Sequence, residues 1–109
     1  MVTITEYLEP GGRDPFANWF ETLNAPAAAK VTTALVRIEQ GNFSNTRGVG
    51  AGVYECRIDF GPGYRVYFGK DGDLIVVLLG GGSKKRQDRD IRTAQERWGD
   101  YRRRKARGK

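Results

Sequence analysis

The stretch GPGYRVYFGKDGDLIVVLLGGGSKKRQDRDI, residues 61–91, decides the fold, because two turn signals, an apolar run and a basic cluster follow one another in it. The triplet GPG at 61–63 and the Asp-Gly step inside KDGD at 70–73 are typical of tight turns between antiparallel strands. Runs of β-branched, aromatic and aliphatic residues flank both turns. These patterns predict a meander of three strands over residues 53–60, 64–68 and 74–79.

The alternation of side chains along the strands sets a register for this meander. We expect Phe60 to lie opposite Tyr64 across the first loop, and Lys70 to lie opposite Asp73 across the second turn. One face of the sheet is then apolar and carries Cys56, Ile58, Val66, Phe68, Ile75 and Val77. The other face is polar with an aliphatic edge and carries Glu55, Arg57, Asp59, Arg65, Tyr67, Val76 and Leu78.

The segments before the meander predict one strand and a pair of helices. Residues 2–8, VTITEYL, alternate as a strand does. Asp14 with Pro15 marks one helix start, and Asn24 or Ala25 caps a second helix that has Pro26 in its first turn. We expect the helix pair to cover the apolar face. Their apolar stripes comprise Phe16, Trp19, Phe20 and Leu23, then Val31, Ala34, Leu35 and Ile38.

Together these elements predict an α+β fold in the order β-α-α-β-β-β-α. The sheet is small, twisted and mainly antiparallel, with the helix hairpin on one face. A basic last helix runs from about residue 87 into the early 100s. We expect residues 1–109 to form a single domain, with a frayed basic tail from about residue 104. The packed side of the last helix comprises Ile91, Ala94, Gln95, Trp98 and Tyr101.

Composition limits the chemistry. The chain has 109 residues, one cysteine and no histidine. An internal disulfide, a multi-cysteine zinc site and histidine acid–base catalysis are therefore excluded. We expect no metal and no cofactor. The N-terminus lacks the pattern of a signal peptide, and the longest apolar run, LIVVLL at 74–79, is too short to cross a membrane. A cytoplasmic protein is expected.

Positive charge is concentrated at the C-terminal end. Residues 84–109 contain twelve lysines and arginines against four acids, a balance of +8, while residues 1–83 contain seven against nine, a balance of −2. A localised basic surface favours binding to a polyanion such as nucleic acid, because neutralised phosphates release counterions. A solubilising tail or a site for an acidic partner remains an alternative.

The polar sheet face is a candidate phosphate site. Arg57, Arg65 and Tyr67 project the same way on adjacent strands, with Glu55 nearby. An arginine fork matches phosphate oxygens. A structural ion-pair network is the alternative, with Asp59 paired to Arg65 and Glu55 paired to Arg57.

The run GGGSKKR, residues 80–86, admits two interpretations. Its glycines allow a close turn into the last helix, and they would direct Lys84 and Lys85 back over the rim of the sheet near Arg65. The order of Ser83 and Lys84 does not fit a Walker phosphate loop, so nucleotide hydrolysis is not expected. A plain linker before a solvated helix is the alternative.

The order of elements, taken with YECRIDFGPGYRVYFGKDGDLIVVLLGGGSKKRQDRDIRTAQERW at 54–98, closely resembles the toxins of the RelE/ParE superfamily. The most similar branch is that of the HigB-like, phage-derived "addiction module killer" proteins of bacterial toxin–antitoxin pairs. The resemblance covers nearly the whole chain and is most specific over residues 54–98. It implies a RelE-like fold and an mRNA endoribonuclease that acts at the ribosome and arrests translation.

The resemblance also implies roles for individual residues. Arg65 in GYRVYF would hold the scissile phosphate. Arg57 in YECRIDF and Lys84 in GGGSK would assist phosphate binding or neutralise charge in the transition state. Attack by the RNA 2′-OH on its adjacent phosphate needs no metal.

Proton transfer stays open, because some relatives use a histidine that this chain lacks. Tyr67, Tyr101 and Glu55 are the remaining candidates. The basic residues around the last helix are expected to bind RNA, namely Lys85, Arg86, Arg89 and Arg102.

The partners that the resemblance implies are a cognate helix-turn-helix antitoxin, in a heteromeric complex, and mRNA on the ribosome, with no membrane. Two rival functions remain open. One is a non-enzymatic, ParE-like toxin that inhibits DNA gyrase, which the cluster of Arg57, Arg65 and Lys84 disfavours. The other is a basic nucleic-acid-binding module.

Overall fold

A computed structural model describes residues 1–108, which form an α+β fold around one five-stranded sheet. The strand order is β1-β5-β4-β3-β2, with β1 parallel to β5 and every other pair antiparallel. The α+β class and the C-terminal helix are confirmed, whereas the RelE-like topology stays a prediction. The elements are β1 (Thr3–Glu6), α1 (Pro15–Phe20), α2 (Ala25–Glu39), β2 (Thr46–Gly48), β3 (Val53–Ile58), β4 (Tyr64–Asp71), β5 (Ile75–Ser83) and α3 (Gln87–Arg107), with a 3-10 turn at Lys84–Arg86 before α3.

The helix pair α1 and α2 begins as the sequence predicts. The Asp14 side chain accepts a hydrogen bond from the Ala17 amide at 3.0 Å, and the Asn24 side chain accepts one from the Ala27 amide at 3.0 Å. Each cap satisfies an amide that has no partner within its helix. Both helices pack on one face of the sheet. Their predicted core residues Phe16, Trp19, Phe20, Leu35 and Ile38 lie in that interface.

The long helix α3 covers the opposite, polar face. Its predicted packed side is confirmed, because Ala94 and Trp98 are buried with Ile91 and Tyr101 packed beside them. The Gln95 side chain donates a hydrogen bond to the Val49 carbonyl. As a result, α3 buries much of the polar face under a second apolar cluster that comprises Tyr7, Val53, Tyr67, Val77, Leu79, Ala94 and Trp98.

The predicted register of the first hairpin is wrong by two residues. Ile58, not Phe60, lies opposite Tyr64, because β3 ends at Ile58 and a longer loop follows. Within that loop the Gly63 amide donates to the Phe60 carbonyl. A shift of two residues keeps every side chain on its predicted face but changes each cross-strand partner.

The register of the second hairpin differs from the prediction by an odd number of residues, so the side chains of β5 before the bulge lie on the faces opposite to those predicted. Strand β4 continues to Asp71, which lies opposite Ile75 across a turn at 72–74. Val76 and Leu78 therefore face α1 and α2, while Val77 faces α3. The prediction that Ile75 and Val77 belong to the first core is wrong.

The glycine run belongs to strand β5 and not to a linker. A bulge interrupts the pairing of β4 with β5 between Tyr67 and Phe68, where Gly80 has a φ of +150°. A Cβ at Gly81 would lie 2.3 Å from the Trp19 ring, and one at Gly82 would lie 2.0 Å from Asp90 Oδ2. The glycines therefore leave room for side chains that α1 and α3 lay across the strand.

Two further predictions are corrected at the borders of the fold. The loop at 42–52 contains β2, which pairs with β3 and was not predicted. Helix α3 continues to Arg107, where a frayed tail was expected from about residue 104. Arg104 and Lys105 hold this end by ion pairs with Asp100 and Asp71. Lys109 lies outside the described residues.

Candidate functional site

A buried carboxylate organises the polar residues at one end of β3 and β4. The Glu55 side chain is 1% exposed. Its Oε1 accepts a hydrogen bond from Arg47 Nε at 3.0 Å, and its Oε2 accepts one from Gln87 Nε2 at 2.8 Å. Arg65 Nε lies 3.7 Å from the same Oε2. These partners compensate the cost of burying the charge.

Arg65 stands at the centre of a group of cations. It lies opposite Arg57 on β3, and its residue is only 6% exposed. A Cβ at Gly63 would lie 3.3 Å from Arg65 Nη1 and 3.6 Å from Lys84 Cβ, so both side chains flank that glycine. The Lys84 amide also donates to the Gly63 carbonyl at 2.8 Å. We call Arg57, Arg65 and Lys84 the cation cluster.

The alternative interpretation of this face, a structural ion-pair network, is met in part, because Glu55 pairs with Arg47 and Arg65, but the two ion pairs it named do not form. Asp59 is not paired with Arg65, because the two-residue shift places Arg57 opposite Arg65, and Glu55 pairs with Arg47 and Arg65 instead of Arg57. Within residues 1–108, Arg57 forms no ion pair with any carboxylate. Lys84 likewise has no carboxylate partner in that part of the chain. Both side chains are exposed. Two of the three cations are thus available to an anion.

Tyr67 lies deeper than its predicted role suggests. Its residue is 1% exposed, and its hydroxyl makes no hydrogen bond of normal geometry with the described residues. Burial, followed by the negative charges of Glu55 and Asp90, raises the pKa of Tyr67 above its usual range. The hydroxyl therefore keeps its proton at neutral pH and is suited to donate a hydrogen bond.

A cleft of about 750 Å³ opens beside the cation cluster, between α1 and α3. Gly80, Gly81 and Gly82 of β5 border it, together with Tyr67. We call it the α1–α3 cleft. Its charged lining residues are Arg13, Arg86, Arg89, Asp90 and Arg97.

Other predicted site residues lie elsewhere. Lys85 is exposed next to the cation cluster, whereas Arg102 borders a separate groove with Tyr54 and Trp98. The Tyr101 hydroxyl donates a hydrogen bond to Asp71 at 2.7 Å. Burial and that hydrogen bond raise the pKa of Tyr101 to about 12. The structure therefore does not bring Tyr101 or Arg102 to the cation cluster.

Residues 18–99 match the family described as "Phage derived protein Gp49-like (DUF891)". The chain belongs to this family. The Gp49-like family is that of addiction-module killer proteins, the toxins of toxin–antitoxin pairs, and it implies an antitoxin partner. An uncharacterized protein of Haemophilus influenzae is 42% identical to this Gp49-like chain over 81 residues, which cover 73% of the chain and 82% of that protein.

Several residues of this Gp49-like site escaped the sequence prediction. Arg47 lies on β2, which a glycine-rich segment concealed. Asp90 and Arg97 lie at i and i+7 on α3, each one position before a residue of the apolar stripe. This spacing could have predicted that both side chains lie on the same side of the helix. Gln87 opens the same helix. Arg13 carries no pattern of its own and lies before the matched region.

In the described chain, no three His, Cys, Asp or Glu side chains are grouped so that they could hold a metal ion. No helix among residues 1–108 is both long and apolar enough to cross a membrane. Cys56 is buried, and this burial raises the pKa of its thiol to about 11. A buried, protonated thiol is a poor nucleophile.

Proposed function

We propose that this Gp49-like toxin is a metal-independent endoribonuclease that cleaves mRNA on the ribosome, as in the HigB-like branch of the RelE/ParE superfamily. The cation cluster is the observation that carries the proposal. Arg65 is held in place by Glu55, while Arg57 and Lys84 stand beside it, exposed and without a carboxylate partner in residues 1–108. Such a group of fixed donors is complementary to a phosphate.

The reaction that suits this cluster is an internal transesterification of RNA. The 2′-oxygen bonds to the adjacent phosphorus, and the bond from phosphorus to the 5′-oxygen breaks. The 2′-OH loses its proton, and the leaving 5′-oxygen gains one. The products are a 2′,3′-cyclic phosphate and a 5′-hydroxyl. Negative charge grows on the phosphate oxygens in the transition state, and pre-placed cations stabilise it.

Each residue of the cluster then has a distinct role. Arg65 binds the phosphate oxygens with its terminal nitrogens, because its Nε faces Glu55. Arg57 and Lys84 neutralise the charge that develops. Glu55 acts as a positioning residue, since Arg47 and Gln87 already occupy its oxygens. Of the residues proposed for proton transfer, Tyr67 is protonated and can donate a hydrogen bond, but its raised pKa makes it a weak acid.

The antitoxin belongs to the same proposal. We expect a helix-turn-helix protein with an acidic contacting segment, because the toxin's excess charge lies in residues 84–109. Opposite charge would accelerate association and make it sensitive to salt. Co-purification of the toxin with the product of the adjacent gene tests this partner.

The ribonuclease is tested by removing its exposed cations one at a time. Lys84→Ala and Arg57→Ala should each raise the inducer concentration needed for growth arrest by about ten- to a hundredfold, because one charge-assisted contact to phosphate is lost. Lys30→Ala is the matched control. Lys30 is exposed on α2, so this substitution removes the same charge on the other side of the sheet. Mapping of transcript 5′ ends after induction should reveal clustered cuts with wild type and Lys30→Ala alone.

Intact transcripts together with a loss of DNA supercoiling would support the gyrase-inhibiting alternative and overturn the ribonuclease. Equal toxicity of the Lys84→Ala variant and the control would also overturn it. Thermal melting of each variant separates loss of function from loss of fold.

A further inference from the structure

The α1–α3 cleft contains an open strand edge. Strand β1 ends at Glu6, which lies opposite Leu78, so the later part of β5 has no strand neighbour on that side. The glycines of this part carry no side chains that could cover the edge. Gly80 and Gly82 are buried and Gly81 is half-buried, and all three border the cleft.

The charge of the cleft comes from both of its walls. Arg13 precedes α1, whereas Arg86, Arg89 and Arg97 stand on the α3 side. One acid, Asp90, lies among them. The pKa of Asp90 is raised, because burial outweighs the opposing charges of Arg86 and Arg97, which lie near the carboxylate. Four arginines against one aspartate leave the cleft strongly positive.

Only some of the arginines of the cleft form contacts within the protein. Arg97 Nη1 donates to the Leu79 carbonyl at 2.9 Å, and its Nη2 lies 3.7 Å from Glu9 Oε2. Arg13 and Arg89 are exposed, and neither forms an ion pair with a carboxylate of residues 1–108. Two guanidinium groups on opposite walls therefore face solvent across the cleft.

A buried hydroxyl that interacts with Glu55 but makes no hydrogen bond of normal geometry lies in the same place. Tyr67 lines the cleft, and its hydroxyl, almost fully buried, makes no hydrogen bond of normal geometry with the described residues. Buried polar groups nearly always have a partner, and those that do not point to a ligand or a functional role. An acceptor oxygen that entered the cleft would satisfy this donor.

We propose that the α1–α3 cleft binds a phosphate of single-stranded RNA, one that flanks the phosphate held by the cation cluster. The inference rests on the proposed function for its substrate class. Ser83 lines the cleft, and the next residue, Lys84, belongs to the cluster. One RNA strand therefore passes from one site to the other along the end of β5, with Arg13 and Arg89 on either side of it.

The test uses a short single-stranded RNA in which every sugar is 2′-O-methyl, so that cleavage cannot occur. Fluorescence anisotropy measures its affinity for the full-length toxin over a series of salt concentrations. We expect Arg13→Ala and Arg89→Ala each to lower affinity about five- to tenfold, and to reduce the slope of log K against log salt by about 0.7, the value for one phosphate contact. Arg92→Ala, an exposed α3 residue outside the cleft, should change affinity less than about twofold.

Three outcomes overturn the inference: no RNA binding by wild type, unchanged RNA affinity in both cleft variants, or an equal loss of affinity with Arg92→Ala. The last would show that the RNA is bound by the general positive charge of the protein and not by the cleft. Loss of binding to the antitoxin with unchanged RNA affinity would make the cleft a protein docking site instead. The proposed ribonuclease is judged separately, because the methylated RNA reports binding alone. A toxin that fails to cut RNA can still bind this probe through the cleft.

Discussion

Glu55 and Arg65 show how one buried pair determines what a site can do. Glu55 takes contacts from Arg47, Gln87 and Arg65, so the Nε of Arg65 faces a carboxylate inside the protein, and the Arg65 side chain is only 8% exposed. The pair was visible in the sequence only as two polar residues on one face. Their burial depends on α3, whose packing over that face the strand pattern does not encode.

The first prediction concerns Arg65 and its neighbour across the sheet. Arg65→Ala should lower the free energy of unfolding by about 2–4 kcal/mol, because the buried Glu55 loses one of its cations. Arg57→Ala removes the same side chain from the directly opposite, exposed position and should change stability by less than about 0.5 kcal/mol. Urea unfolding of both variants measures the difference.

Equal losses of stability in these two variants would contradict the buried pairing. Arg65→Lys supplies a further check on function. It should retain more stability than Arg65→Ala while toxicity remains low, since an ammonium group cannot bind two phosphate oxygens in the fork geometry.

Strand β5 is the element that sequence patterns described least well. The run of apolar residues correctly predicted a strand, but the glycines after it were interpreted as a turn or linker. Their purpose is steric and depends on Trp19 and Asp90, which come from distant parts of the chain. No local pattern contains that information. The turn at 72–74, which shifts the pairing of β4 with β5 by an odd number of residues, likewise moved the apolar residues of β5 to unexpected faces.

The second prediction tests the steric role of these glycines. Gly81→Ala should lower the free energy of unfolding by about 1–3 kcal/mol, because its Cβ would meet the Trp19 ring in a packed core. Gly11→Ala is the matched control, since a Cβ there meets no atom within 4 Å and its backbone is not in the left-handed region. Chemical denaturation of both variants gives the values. A neutral Gly81→Ala would contradict the packing described for Trp19.

The third prediction concerns the junction of β1 with the start of α1. A side-chain hydrogen bond with Asp14, partial burial and the Asp14 charge raise the pKa of Glu6 from 4.5 to about 7. The protonated carboxyl is thus favoured in the folded state. Its contribution is complete below pH 4.5 and is lost as the pH rises through about 7.

Melting temperatures measured across this pH range should therefore fall as pH rises, and Glu6→Gln should weaken the dependence. Glu96→Gln, an exposed change on α3, serves as the control and should leave the dependence as it is in wild type. A wild-type profile that rises over the same range would show that Glu6 and Asp14 do not interact as described.

The complete fold joins parts of the chain that lie far apart in sequence. The elements themselves were largely predictable, because helix caps and apolar stripes are local signals. The cation cluster was also predicted, since Arg57, Arg65 and Lys84 fall near two turns. The α1–α3 cleft was not, because it depends on how α1 and α3 stand relative to β5. Only tertiary packing brings Arg13 near Arg97.

The fourth prediction tests whether the last turns of α3 belong to the fold. Ending the chain after Arg103 removes the contacts of Lys105 with Asp71 and of Arg104 with Asp100 and the Leu8 carbonyl. The melting temperature should fall by a few degrees. Ending the chain after Arg107 keeps those contacts and should leave it unchanged. Equal melting temperatures for the two truncations would restore the expectation of a frayed tail.

The parallel pairing of β1 with β5 has a consequence for how the toxin is made. The first strand can find its neighbour only after residues 75–78 have been synthesised, and the Tyr7 hydroxyl then bonds to Asp100, 93 positions away. The entropy cost of closing so long a loop arises before the stabilising contacts form, and such topologies therefore fold slowly. A nascent chain on the ribosome therefore stays unstructured at its beginning until nearly all of it has emerged. Proteolysis of stalled nascent chains should find residues 1–8 protected only in the longest ones.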